Sequence, residues 1–219
     1  CEVSRLKKTL WTKNFTLVTA ASALGAVGGI AGGFALSFLV FDETGSTLAS
    51  ALILAIQLVP FFVLPLFLAP VMDRLPRKPF LVAGDLIDGV LYALMGLYLL
   101  KFEFSYAAYL GYSLLLACLE SFDELAFQSI YPKLIPEGME QQGYAVSTTL
   151  YPILRVLMLP LAGILLDAVG AAWILIGQGG LSLLAALIES NIDITEHRRE
   201  GGEKLFTLRQ WRADIKEAA

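Results

Sequence analysis

Six long apolar stretches separated by short charged segments are the feature that most constrains how this chain can fold. The first runs from Asn14 to Val40 without a charged residue. A helix needs about 20 apolar residues to cross a bilayer, whereas a signal-peptide core has only about 7 to 15. Only 16% of the 219 residues are charged, against about 25% in ordinary soluble domains. The sequence therefore predicts an all-α polytopic membrane helix bundle, with the lipid bilayer as its first partner.

The apolar stretches divide the chain into three regions. Residues 1–13 are predicted to form a basic cytoplasmic lead-in, residues 14–190 a bundle of six transmembrane helices, and residues 191–219 a cytoplasmic linker. The expected spans are 14–40, 45–72, 79–100, 104–128, 143–166 and 168–190. Apolar residues at helical spacing from Leu205 to Ile215 fit either an amphipathic helix at the inner membrane surface or a solvated linker helix.

The basic residues predict the orientation of the spans. Of the 16 Lys and Arg residues, Lys101 falls outside and Arg155 falls within the membrane, which leaves 14 (16 minus 2) on one side. Because basic residues are retained in the cytoplasm, both termini are expected to be cytoplasmic.

Glycines are concentrated in the first span and predict close helix packing. Glycines four residues apart lie on the same helix face, and the glycines of this span are Gly25, Gly28, Gly29, Gly32 and Gly33. A face without side chains lets a second helix approach its backbone closely. The alternative is that the glycines allow a bend that opens a path for a substrate.

The third span carries acidic residues that a lipid-facing helix would not tolerate. Asp85, Asp88 and Tyr92 fall on one helix face at spacings of three and four. An acid at the bilayer centre costs about 2.5 to 3.5 kcal/mol, while each large apolar residue returns only about 0.3 to 0.6. These acids are therefore expected near the cytoplasmic end or inside the protein.

Five charged residues are candidates for a substrate or proton site within the membrane: Asp88, Glu120, Asp123, Glu124 and Arg155. Buried ionisable groups in membrane proteins commonly mark substrate or proton paths. We expect Arg155 to pair with Glu120, with Asp88 as a competing partner. Two alternatives remain open: the pair only neutralises buried charge, and Asp123 and Glu124 already lie in the inner headgroup region.

The sequence argues against an enzyme. It has no recognisable Ser/His/Asp set, metal-ligand cluster or phosphate-binding glycine loop. The single His197 excludes a multi-histidine metal site, and Cys1 and Cys118 provide no disulfide framework. No cofactor, metal or nucleic-acid partner is expected.

The short charged link between the second and third apolar stretches carries a family resemblance. It reads Ala69-Pro-Val-Met-Asp-Arg-Leu-Pro-Arg-Lys-Pro79. It resembles the loop between the second and third helices of the major facilitator superfamily, roughly Gly-x-Leu-Ala-Asp-Arg-x-Gly-Arg-Lys. Four charged positions match: Asp73, Arg74, Arg77 and Lys78. Ala69 and Pro76 stand where the family prefers glycine. The resemblance implies that these loop charges lock one conformation of a transporter.

The whole chain resembles the amino-terminal half of a major facilitator transporter, most closely the bacterial drug and macrolide exporter branch. This resemblance implies the plasma membrane of a bacterium as the location. The fifth span matches the family's antiporter motif only at Pro160 and Gly163, and Leu159 replaces its first glycine, so antiport is not inferred. The resemblance implies export of a small molecule by alternating access against a carboxy-terminal half or a second copy. Proton coupling is an open option. The rival interpretation is a six-span scaffold, partner subunit or sensor that transports nothing.

Overall fold

A computed structural model describes residues 9–72 and 77–193, and in these ranges the chain is built from α-helices without a strand. The helices are α1 Lys13–Thr44, α2 Thr47–Met72, α3 Arg77–Lys101, α4 Tyr106–Leu134, α5 Glu140–Val169 and α6 Ala171–Ser190. The predicted all-α class is therefore confirmed. The predicted helix in the linker and the loop residues Asp73 and Arg74 lie outside the described residues.

Local chemistry explains where the helices begin and end. The side chain of Thr12 accepts a hydrogen bond from the backbone N–H of Phe15 at 3.3 Å, which caps the start of α1. At the other end, Gly45 adopts a left-handed conformation with φ +62°, and its N–H donates to Phe41 O. Gly170 has φ +83° in the link between α5 and α6. Glycine adopts these angles without steric cost, so both chain reversals can be tight.

Five helices in the described part are long and apolar enough to cross a membrane: Lys13–Thr44, Thr47–Pro65, Lys78–Lys101, Glu140–Val169 and Ala171–Ser190. The fourth helix does not meet the same composition requirement, although it has 29 residues. Its acidic residues, Glu120, Asp123 and Glu124, lower its apolar content. Five of the six predicted spans are thus candidate membrane helices by length and composition, and the count of six stays a prediction.

Contacts at one end of the bundle bring the starts of odd-numbered helices to the ends of even-numbered ones. Lys13 at the start of α1 forms an ion pair with Asp193, just after α6, at 2.8 Å. The rings of Phe15 in α1 and Tyr131 near the end of α4 lie 6.0 Å apart. The chain therefore begins α1 and ends both α4 and α6 at the same end.

Contacts at the opposite end complete the path of α4. The hydroxyl of Tyr106, the first residue of α4, donates to Ala49 O near the start of α2 at 3.2 Å. Ser50 in α2 donates to Ser37 O in α1 at 3.0 Å. Since α2 starts where α1 ends, α4 runs the length of the bundle between the two ends.

Helix α6 lies at the centre of the packing, and α2 and α5 lie at its margin. The most extensive helix contacts are between α3 and α6, followed by those between α1 and α6. Helix α4 packs on α2 and α3, whereas α5 packs mainly on α1. Nearly half of the spans of α1 and α6 is buried, but most residues of Thr47–Pro65 in α2 and of α5 are exposed. These two helices leave broad apolar faces uncovered.

Several helix boundaries differ from the prediction by a few residues, and the end of α4 differs most. Pro132 and Lys133 were expected in an inside loop, but they lie within the last turn of α4, which continues to Leu134. The hydroxyl of Tyr131 donates to Gly143 O at 2.7 Å, and this bond ties the end of α4 to the start of α5. Ile130, Tyr131 and Leu134 pack with Phe15 in a buried apolar cluster. Burial of this last turn accounts for the longer helix.

The ion pair between Lys13 and Asp193 predicts a weak dependence of stability on pH. The hydrogen bond and charge of Lys13 hold the pKa of the exposed Asp193 carboxyl below its ordinary value. A lowered pKa in the folded state stabilises the fold above the ordinary carboxyl pKa, and this contribution disappears as the pH falls through the lowered value. We expect Asp193→Asn to lower the melting temperature slightly at pH 7. The difference from the wild type should shrink as the pH of a melting series falls below the ordinary carboxyl pKa, and a difference that does not change with pH would contradict the assignment.

Candidate functional site

Two hydrogen bonds join polar side chains across the interior of α3, α4 and α6. The hydroxyl of Tyr92 in α3 donates to Glu120 Oε1 in α4 at 3.3 Å. One turn earlier in α3, Asp88 Oδ2 accepts a hydrogen bond from the hydroxyl of Ser182 in α6 at 3.1 Å. Tyr92 and Ser182 are only 5% and 2% exposed. The predicted polar face of α3 thus points into the protein.

A second group of acids lies beside this pair. Asp123 of α4 packs against Gly84 of α3, where an added Cβ would lie 2.7 Å from Asp123 Oδ1. Asp85, Asp88 and Glu189 lie close enough to Asp123 to interact with its charge. A glycine in α3 is what lets the carboxylate of α4 approach so closely. Together these residues form the acidic core of the bundle, which we define as Asp85, Asp88, Glu120, Asp123 and Glu189.

The acidic core has unsatisfied hydrogen-bonding capacity. Asp88 Oδ1, Asp123 Oδ1 and Glu189 Oε2 are buried without a hydrogen-bond partner among residues 9–72 and 77–193. In the same ranges, none of the five acids forms an ion pair with a basic residue. No group of three or more His, Cys, Asp or Glu residues in the described part is arranged to hold a metal ion. The free oxygens can therefore take up protons or hydrogen-bond donors.

Glu189 belongs to this core but was not among the predicted site residues. It is 4% exposed at the last turn of α6. In the sequence, Glu189 follows the sixth apolar stretch directly, which is typical of a charged residue at the membrane surface. Helical spacing could have indicated its burial, because Gln178, Ser182 and Glu189 are four and seven residues apart. All three are buried on one face of α6.

The predicted ion pair between Arg155 and Glu120 is absent from the described residues. Arg155 is exposed on α5, which packs on α1 and α6, whereas Glu120 lies on α4, which packs on α2 and α3. Consecutive helices were assumed to be neighbours, and the bundle does not follow that order. Glu120 instead contacts Tyr92, and Arg155 lies on one of the two uncovered helices.

Glu124 is close enough to Asp123 to interact with its charge, but its own hydrogen bond lies outside the acidic core. Its side chain is exposed, and Glu124 Oε1 accepts a hydrogen bond from Gln128 Nε2 at 2.6 Å. It lines a small cavity of about 120 Å³ between α2 and α4, together with Phe61 and Ser121. The structure therefore groups Asp88, Glu120 and Asp123 and separates Glu124 and Arg155 from them.

Only part of the predicted glycine surface is in contact with another helix. Cβ atoms added at Gly28 and Gly32 would meet the side chain of Gln178 in α6. Cβ atoms added at the other three positions would have no neighbour within 4 Å among the described residues, and these positions are Gly25, Gly29 and Gly33. Packing at these three glycines stays a prediction for a partner that covers α1.

Comparison with protein families identifies the chain. A family model described as transmembrane secretion effector, of the major facilitator type, matches residues 8–207. The chain belongs to this family. The match confirms the resemblance read from the charged link and the six apolar stretches. No curated protein and no solved structure gives a significant match.

Membership of the transmembrane secretion effector family makes the chain an integral membrane transporter protein, and it gives context to the charged link. Lys78, the last charged residue of that link, donates to Ser190 O at 2.8 Å and to Ile192 O at 2.7 Å. It thereby ties the start of α3 to the end of α6. Arg77 is the first residue of α3. The locking role of these residues in the transporter is untested and stays a prediction.

Proposed function

We propose that this family member works as the amino-terminal six-helix half of a secondary active exporter of a small molecule. All six helices cross the membrane in this proposal, including α4. Its support is the ion pair between Lys13 and Asp193, because a chain that starts α1 and leaves α6 at one end must cross an even number of times. Both ends then lie in the cytoplasm, as the distribution of basic residues predicts.

Alternating access requires a second half, and α2 and α5 are the surfaces that would meet it. Both helices are largely exposed and strongly apolar, with Phe62 68% and Val156 73% exposed. Arg155 and the uncovered glycines of α1 would then be covered by a carboxy-terminal half or a second copy. The two halves rock against each other, so that a site between them opens to each side in turn.

The acidic core is the observation that carries the proposal. Glu120 accepts a hydrogen bond from the buried Tyr92 but remains accessible itself, so it is open to a proton or a cationic substrate. Asp88 is close enough to interact with the charge of Glu120. Two carboxylates in a membrane interior are costly when both are charged, and binding of a proton or a cation relieves that cost. Proton binding can thereby be coupled to substrate release.

Flux measurements on the complete native polypeptide test the proposal. We expect proteoliposomes with an imposed pH gradient to move a fluorescent lipophilic cation, and a protonophore to stop that movement. Absence of substrate-dependent flux across a panel of cationic, neutral and anionic probes would favour the rival interpretation of a non-transporting scaffold. Mass analysis with an antibody to the amino-terminal segment distinguishes a product near twice the 23.8 kDa of this chain from a stand-alone half.

A further inference from the structure

A large groove lies between the end of α3 and the start of α4, away from the acidic core. Its volume is about 640 Å³, which is within the range of about 300 to 1,000 Å³ typical of ligand sites. Leu94 and Leu97 of α3 and Ala108 of α4 contribute to its walls. The hydroxyl of Tyr112 donates to Leu91 O at 2.6 Å and ties the two helices together at the groove. The walls are almost entirely apolar, so the groove suits a hydrocarbon chain.

One cation stands at the rim of this apolar groove. Lys101 is the last residue of α3, lines the groove, is exposed and forms no ion pair within the described ranges. Tyr109 also lines the groove, and its hydroxyl is buried without a hydrogen-bond partner in that part of the chain. The groove therefore offers an unpaired positive charge beside apolar walls.

The position of Lys101 along α3 matches the headgroup region of a bilayer. Residues Lys78–Lys101 form the candidate span, and 24 residues of helix extend about 36 Å, slightly more than a hydrocarbon core of about 30 Å. The rings of Tyr98 and Phe102 stack at 5.0 Å beside the groove, as aromatic residues do at a membrane interface. Lys101 is thus at phosphate depth, and the leucines of the groove are at acyl-chain depth.

We propose that this groove binds one phospholipid, with an acyl chain along α3 and α4 and its phosphate on Lys101. A free phosphate ion would leave the apolar walls empty, and an uncharged hydrocarbon would leave Lys101 unpaired. Glu43 is near enough to interact electrostatically with Tyr109, and Glu103 follows Lys101 by two residues. These two acids disfavour a headgroup with additional negative charge. A zwitterionic lipid is therefore preferred, with its phosphate on Lys101 and its amine toward the acids.

Photolabelling tests the groove in the full chain reconstituted into vesicles of phosphatidylethanolamine and phosphatidylglycerol. The probe is phosphatidylethanolamine with a diazirine in one acyl chain, and labelled peptides are located by mass spectrometry. We expect labelling of α3 and α4 peptides that line the groove to exceed that of the exposed α5 peptides. Ala108→Trp should fill the groove and reduce the α3 label at least fivefold. Ala107→Trp is the matched control, since Ala107 is an exposed neighbour that does not line the groove.

Lysine variants test the headgroup. Lys101→Ala should lower labelling severalfold and Lys101→Arg should restore it, while Lys133→Ala at the other end of α4 should leave the α3 label unchanged. Equal labelling of every exposed helix, or no loss in Ala108→Trp, would overturn the site. Loss in Ala108→Trp without loss in Lys101→Ala would overturn the phosphate contact and show an apolar occupant. Stronger labelling by a phosphatidylglycerol probe would overturn the preference for a zwitterionic headgroup.

Discussion

Replacing Glu120 with glutamine should abolish pH-driven transport and leave the protein folded. Glutamine keeps the size of the side chain and can still accept the hydrogen bond from Tyr92, but it cannot exchange a proton at this position. We expect the flux of a lipophilic cation driven by a pH gradient to fall at least tenfold. The melting temperature should stay near that of the wild type, because the buried contacts of Tyr92 are retained.

The matched control is Glu124→Gln. Glu124 is four residues further along α4, is exposed, and bonds only to Gln128 among the described residues. Its replacement removes the same charge from the same helix outside the acidic core. We expect the control to retain most of the wild-type flux. Equal flux in the Glu120→Gln variant and the wild type would remove Glu120 from the mechanism, and equal loss in both variants would indicate a general charge requirement of α4.

The helices and their inward polar faces were easier to predict from the sequence than which helices pack against each other. An acid that faces lipid is costly, and Asp88 and Tyr92 are four residues apart. These two facts were sufficient to place both residues on one buried helix face. Which helices pack together could not be predicted in the same way. A leucine that faces lipid and a leucine that faces a helix are chemically alike, so hydropathy does not show that α4 packs mainly on α2 and α3 and meets α5 near its end.

Glycine contacts were also only partly predictable. The glycines of α1 were conspicuous because they are clustered, yet only Gly28 and Gly32 contact another helix in the described part. The tightest backbone approach is between α3 and α6, at glycines outside the α1 cluster: Gly89 faces Gly179, and Gly96 faces Ala172. A single glycine in an apolar run gives no sign of its partner, because the partner is fixed only by the folded bundle.

The approach of α3 to α6 predicts the largest effect on stability. A Cβ added at Gly179 would lie 2.5 Å from Gly89 O and 2.8 Å from the backbone nitrogen of Ala93. Both neighbours are backbone atoms, so the methyl group can be accommodated only if the two helices separate. Overpacking of this kind costs about 1 to 3 kcal/mol. For a chain of this size we expect Gly179→Ala to lower the melting temperature by about 2 to 12 °C.

Gly180→Ala is the control for this substitution. Gly180 is the next residue of the same helix, and an added Cβ there meets nothing within 4 Å in the described part. Alanine is a better helix former than glycine by up to about 1 kcal/mol in water. The melting temperature of the Gly180→Ala variant should therefore be unchanged or slightly raised. Thermal unfolding in detergent followed by circular dichroism measures both variants. Equal melting temperatures for Gly179→Ala and Gly180→Ala would mean that α3 and α6 are not held at backbone contact, and the position of the acidic core between them would then be wrong as well.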